Sequence, residues 1–174
     1  IKEDPRLDGN IYSAAKEIEE AGGKALAVQV DIRNEEQIKA AIEKAIETFG
    51  GIDILVNNAS AIQLTDTEQT EAKRFDLMHN INVRGTFLVT QHCIPHLKKS
   101  SNAHILTLSP PINIDEKWLG KHIAYTMSKY NMSMMALAWA TELQKYNITS
   151  NAFWPATTIA TSAVKNLLVG EPLI

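Results

Sequence analysis

Residues 50–62 read GGIDILVNNASAI, and this stretch decides the fold. Gly50-Gly51 stops the helical pattern before it, Ile52–Val56 is a short apolar-rich run of strand length, and Asn57-Asn-Ala-Ser60 ends that run. A strand of this kind, with helical periodicity on both sides and no hairpin signal, belongs in a parallel sheet covered on both faces.

The same alternation continues outward in both directions. Toward the N-terminus, Asn34-Glu-Glu opens a helix running to Phe49, with Ile38, Ala41, Ile42, Ala45 and Ile46 on its apolar face. Before it, Lys24–Val30 reads as a strand closed by Asp31, and Ile11–Ala21 as a helix stopped by Gly22-Gly23. Residues 1–9 read as a loop. Toward the C-terminus the pattern predicts a long helix from about Glu71 to Leu97 and a strand over His104–Leu108. An irregular connection starts at Pro110-Pro111, followed by a helix from about Ala124 to Tyr146 and a strand over Ile148–Phe153. The fold class is therefore α/β, a Rossmann-like doubly wound parallel sheet in one domain over residues 1–174. Ligands in such folds sit beyond the carboxyl ends of the strands, where Asp31, Asn57, Ser109 and Pro155 all fall.

Bulk properties narrow the function classes. With 174 residues and a formal net charge of −3, the chain offers no basic surface for nucleic acid or anionic membrane. Its one cysteine, Cys93, excludes an internal disulfide framework and fits a reducing compartment. No apolar run approaches the roughly 20 residues that span a bilayer.

Tyr125 and Lys129 stand at i and i+4, one above the other on a helix face. A free tyrosine titrates near pH 10, and a neighbouring ammonium favours the phenolate, bringing the group toward general acid/base use. The competing reading is a surface tyrosine stacked on a lysine stem. His92 and His96 have the spacing of helix ligands, but no Glu adjoins them and Pro95 lies between, so no metal site is expected. Cys93 reads as a buried small hydrophobe. Trp118, Trp139 and Trp154 read as packing residues.

Five elements in order, Asp31 after its strand, Asn57-Asn58-Ala59-Ser60, Ile81-Asn82-Val83-Arg84-Gly85, Tyr125-x-x-x-Lys129 and Asn151-x-x-x-Pro155, resemble the short-chain dehydrogenase/reductases over nearly the whole chain. That resemblance implies an NAD(P)-dependent oxidoreductase moving hydride between a nicotinamide and an alcohol or ketone, with Tyr125 as proton donor or acceptor. Lys129 would bind the nicotinamide ribose and depress the tyrosine pKa. Asn82 would divert a helix hydrogen bond so that a carbonyl holds a relay water. Asp31, with the Ile32 backbone, would contact the adenine, Asp31 alternatively being a helix cap. Asn57 and Ala59 would lie along the cofactor while Asn58 ties the sheet, and the backbone after Pro155, with Thr158 or Thr161, would receive the carboxamide. The cofactor would be NAD or NADP, NADP slightly favoured. Partners would be a small-molecule carbonyl or alcohol, with Trp118 in the loop flanking it, and further copies of the chain through the two long helices. A likeness to a lipid-linked branch of the family implies a peroxisomal or mitochondrial address.

Three positions depart from the family pattern. Ser60 stands where glycine is usual, and Ala156 follows Pro155 where glycine is usual. The polarising serine falls at Pro110, which cannot donate a hydrogen bond. Either Ser109 takes over through a shifted loop or that contact is absent. None of the eight glycines forms a phosphate-cradling turn. The start at Ile1 suggests a piece of a longer protein whose first two strands and last strand lie outside this chain. Lys24–Val30 and Ile52–Val56 would then not pair directly with each other. A rival reading is a nucleotide-binding or regulatory protein that keeps the fold and little chemistry.

Overall fold

The computed structural model describes residues 9–157 and Ile159. It divides into two compact units, residues 30–154 and a second unit of residues 1–29 with 155–174. The second unit contains α1 (Ile11–Glu20). Asn10 caps it: its Oδ1 accepts from the Tyr12 and Ser13 amides at 2.9 and 3.0 Å, while the Ser13 hydroxyl accepts from the Asn10 amide at 2.8 Å. Two orphan amides and the cap itself are thereby satisfied, and Gly22, at φ +87°, ends the helix in the left-handed region.

Residues 24–30, expected as a strand, carry none. A strand exists only through backbone pairing with a neighbour, and no described segment supplies one here. Apolar composition alone does not make the ladder.

The larger unit holds the sheet. α2 (Glu35–Phe49) is capped by Asn34, whose side chain accepts from the Gln37 amide at 3.2 Å, and Glu35 and Glu36 in the first turn suit the helix dipole. β1 (Ile54–Asn57), β2 (His104–Leu108) and β3 (Thr149–Phe153) pair in parallel in the order β1-β2-β3, with Leu55 opposite Ile105 and Ile105 opposite Ser150. This is an incomplete doubly wound sheet. Ile54 and Val56, on one face of β1, stay exposed, whereas a doubly wound sheet covers both faces.

The core sits between the sheet and two helices. Cys93 and Leu97 of α4 (Thr86–Leu97), Trp139 of α6 (Ile123–Glu142), Leu143, Ala103, Ile105 and Ile148 pack together. Burial pushes the Cys93 thiol up to about 12, so it remains a neutral small hydrophobe. A short α5 (Glu116–Leu119) lies in the connection before α6. The predicted end of α6 at Tyr146 is tightened into a 3₁₀ turn over Gln144–Tyr146, closed by Asn147 at φ 57°.

The long helix expected over 71–97 is not uniformly α-helical. α3 (Ala72–Met78) passes into a π-helical segment over His79–Gly85, which passes into α4. π segments are rare and insert a residue into the helical register, often at functional sites. Asn82 lies at its centre. Among the described residues, no helix is long and apolar enough to cross a membrane.

Candidate functional site

The site forms beyond the carboxyl ends of β1 and β2. Tyr125 lies in the first turn of α6 and Lys129 one turn later. Lys129 is buried, and its Nζ donates to the carbonyl of Leu108, the last residue of β2, at 2.6 Å. Burial lowers its pKa to about 8, since the charged form has lost solvent. The Trp154 ring, 5.7 Å from Nζ, lies within cation–π range. One ammonium hydrogen is committed to Leu108, and an ammonium has three to give. A ribose diol is a fitting acceptor for the others.

Asn82, wholly buried, holds the neighbouring loop. Its Oδ1 accepts from the Ala61 amide at 2.7 Å, and its Nδ2 donates to the Ala61 carbonyl at 2.9 Å and to Ser128 Oγ at 2.9 Å. Ser128 in turn donates to the Tyr125 carbonyl at 2.7 Å. A single amide thus joins the loop after β1, the π segment and the first turn of α6. The Asn82 side chain, expected to divert a backbone bond of its own helix, bonds Ala61 and Ser128 instead, and the helix around it is a π segment.

Ser128 and Ala61 were not singled out in the sequence. Ser128 could have been: a serine three residues after Tyr125 on a helix is placed to back-bond the preceding turn. Ala61 acts through its backbone and leaves no signal. Ser133 plays a similar part on the next turn, donating to the Pro110 carbonyl at 2.6 Å and so pinning the proline connection.

Several expectations need correction. Lys129 does not depress the Tyr125 pKa: burial raises it, and the opposing influence is the Ser60 hydroxyl. The reason is that the Lys129 ammonium is turned toward Leu108. The asparagine that ties the sheet is Asn57 rather than Asn58. Asn57 is buried and its Nδ2 donates to Thr90 Oγ1 at 3.0 Å and more loosely to Thr107 Oγ1 at 3.4 Å, tying β1 to α4 and β2. Asn58, one residue past the strand, is exposed. The pleat settles this, because successive side chains leave on opposite faces.

Asp31 is not the cap of α2, which is Asn34. Its carboxylate instead takes a forked bond from Arg33, Nε at 2.9 and 3.1 Å and Nη2 at 2.5 Å, and also accepts the Arg33 amide. Those bonds hold its pKa at about 2. Ile32 packs on Gly85 so closely that a Cβ there would meet Ile32 Cδ1 at 2.6 Å, and Arg84 donates to the Arg33 carbonyl at 2.8 Å. Ala59 and Ser60 are exposed.

Ser109 is only 1% exposed, and its Oγ has no hydrogen-bond partner among the described residues. Pro155 belongs to the other unit, and Thr158 and Thr161 lie outside the described residues. His92 bonds Glu35 at 3.1 Å across α4 and α2, which accounts for its place without a ligand. Trp118 is half exposed, with the Lys117 ammonium 5.5 Å from its ring.

A tyrosine and a buried lysine thus stand one helical turn apart at the open end of a parallel sheet, braced through a buried asparagine. The family model for short chain dehydrogenase matches residues 6–171, and the chain belongs to that family. It is 58% identical over 163 residues to the Bos taurus hydroxysteroid dehydrogenase-like protein 2, covering 94% of this chain and 39% of that relative. A solved short chain dehydrogenase from Mycobacterium thermoresistibile has 56% sequence identity and a TM-score of 0.91, over 98% of this chain and 60% of that one. The solved carveol dehydrogenase from Mycobacterium avium, in complex with NAD, shares the fold at 22% identity and a TM-score of 0.79, over 94% of this chain and 61% of its own. The chain thus spans well under two thirds of the curated relative's length.

Proposed function

We propose that the full-length protein is an NAD(P)-dependent oxidoreductase that moves hydride between a nicotinamide and an alcohol or ketone carbon. The observation that carries this reading is the brace Asn82–Ala61–Ser128–Tyr125, which fixes the phenol-bearing turn of α6 against the loop after β1. When bound, the nicotinamide supplies or accepts the hydride. Tyr125 gives or takes the oxygen-bound proton, and a phenol whose pKa burial has raised is better suited to giving it. Lys129 holds the ribose with its remaining donors, and Asp31 with the Ile32 backbone borders the adenine. Asp31 would meet the adenine while still held by Arg33.

A small lipid-related carbonyl or alcohol as substrate, NADP ahead of NAD, and a peroxisomal or mitochondrial address follow from resemblance to the hydroxysteroid dehydrogenase-like relatives. Self-association through α4 and α6 is supported by Phe87, Met134 and Leu137, apolar side chains left exposed on those helices.

The second reading, a nucleotide-binding member with little chemistry, is favoured by the sealed Ser109 hydroxyl and by Pro110. Full-length protein decides between them, through binding of NAD(H) and NADP(H) followed by turnover of a carbonyl panel beside Tyr125→Phe. The oxidoreductase reading expects cofactor binding by both proteins and a loss of about 10³-fold in kcat for the variant. Cofactor binding without turnover in either protein selects the second reading, and absence of binding rejects both.

A further inference from the structure

Four serine hydroxyls surround the Tyr125–Lys129 turn or the segments it packs on, and three are committed or sealed. Ser128 is fully buried between Asn82 and the Tyr125 carbonyl. Ser133 is buried and donates to the Pro110 carbonyl. Ser109 is buried just before the proline connection's first residue, its hydroxyl without a partner among the described residues. Ser60 differs: it is exposed, and its hydroxyl lies 3.5 Å from the Ala61 carbonyl and within hydrogen-bond reach of the Tyr125 phenol.

Its position is not left to loop drift. The next residue, Ala61, has both its amide and its carbonyl fastened to Asn82, and Asn82 is fastened through Ser128 to the Tyr125 turn. The Ser60 backbone is therefore anchored, within one residue, to the turn that carries the phenol. We propose that Ser60 is a catalytic residue, donating its hydroxyl hydrogen to the Tyr125 oxygen when that oxygen is a phenolate. This rests on the reading of Tyr125 as the proton-transfer group. In the alcohol-to-carbonyl direction the substrate hydroxyl proton passes to the Tyr125 oxygen, and the carbon-bound hydrogen leaves with its electron pair to the oxidised nicotinamide. Ser60 keeps its own proton throughout and offers it as a hydrogen bond. A hydrogen bond to the charged form stabilises that form, and the Ser60 hydroxyl already opposes the upward pull of burial on the phenol. The donor that Pro110 cannot provide thus comes from the other side of the site.

The test is a direct titration of Tyr125 in full-length protein by NMR with isotope-labelled tyrosine, its signal assigned by its loss in Tyr125→Phe. Turnover against pH is measured in parallel. Ser60→Ala is expected to cut the phenolate fraction at a given pH about tenfold, with a matching loss in alcohol oxidation near neutrality, as loss of one hydrogen bond to an anion implies. Ser60→Thr, which keeps the hydroxyl, restores both. A Tyr125 titration unmoved in Ser60→Ala, with Tyr125→Phe inactive, overturns the role of Ser60 alone. Tyr125→Phe turning over like the unmodified protein overturns the reading of the whole site.

Discussion

Two loops reach the π segment over His79–Gly85, and they are held in opposite ways. The loop after β1 is locked by Asn82 through three hydrogen bonds from a side chain with no exposure, to partners 21 and 46 residues away in sequence. The Asp31–Arg33 loop is held by an exposed ion pair between residues two apart, by one bond from Arg84, and by the fit of Ile32 on Gly85. A buried amide with all its partners in place is costly to disturb, because each partner left behind has no water to turn to. An exposed ion pair has water as a ready substitute. One loop is therefore fixed by desolvated polar groups and the other by packing at a glycine.

The comparison is broken most directly at Asn82. Asn82→Ala strands the Ala61 amide and carbonyl, and full-length protein is expected to lose about 2–4 kcal/mol in denaturant unfolding. A loss no larger than that of an exposed Asn→Ala control would show that the brace is not held as described. Gly85→Ala comes next. Its Cβ would meet Ile32 Cδ1 at 2.6 Å and Cγ1 at 2.8 Å, with the Ile32 carbonyl oxygen at 3.2 Å, so the cost is about 1–3 kcal/mol, and Ile32→Ala in the same chain recovers part of it. Additive losses from the two substitutions would show that they do not meet.

Asp31→Asn should matter least to stability, within about 1 kcal/mol, because both partners are largely solvated. The sign of its pH dependence is fixed. Its folded pKa lies below the ordinary 3.8, so the pair's contribution is present above that value and fades as pH falls toward about 2. Unfolding midpoints of the two proteins should converge over that acid window. Divergence there instead would mean the pair opposes folding.

The contrast also explains what could be read from the sequence. The order of strands and helices, the parallel sheet and the Tyr125–Lys129 face follow from local periodicity, which the chain displays plainly. The misreadings arose where non-local partners decide. Residues 24–30 have strand composition but no described partner strand. Asn57 and Asn58 are chemically alike, and only the last pleat of β1 tells which one reaches Thr90. The direction of the Tyr125 pKa depended on where the Lys129 ammonium turned, and a carbonyl at the end of β2 decided that. The π segment left little trace, since an asparagine inside a helix is only mildly unfavourable, and the diverted bond was implied by the resemblance and not by the residue.

The π segment also acts as a phase setter. Each residue of an α-helix advances the side chains by about 100°, and a π turn accommodates one residue more than an α turn. Everything after Gly85 is thus rotated about 100° from where an uninterrupted helix starting at Ala72 would have carried it. The stripe of Cys93 and Leu97 that meets Ile105 and Trp139 is aimed at the core only because of that offset. A one-residue deletion between His79 and Gly85 would let regular α turns carry that stripe to the core unaided, while dissolving the seat of Asn82.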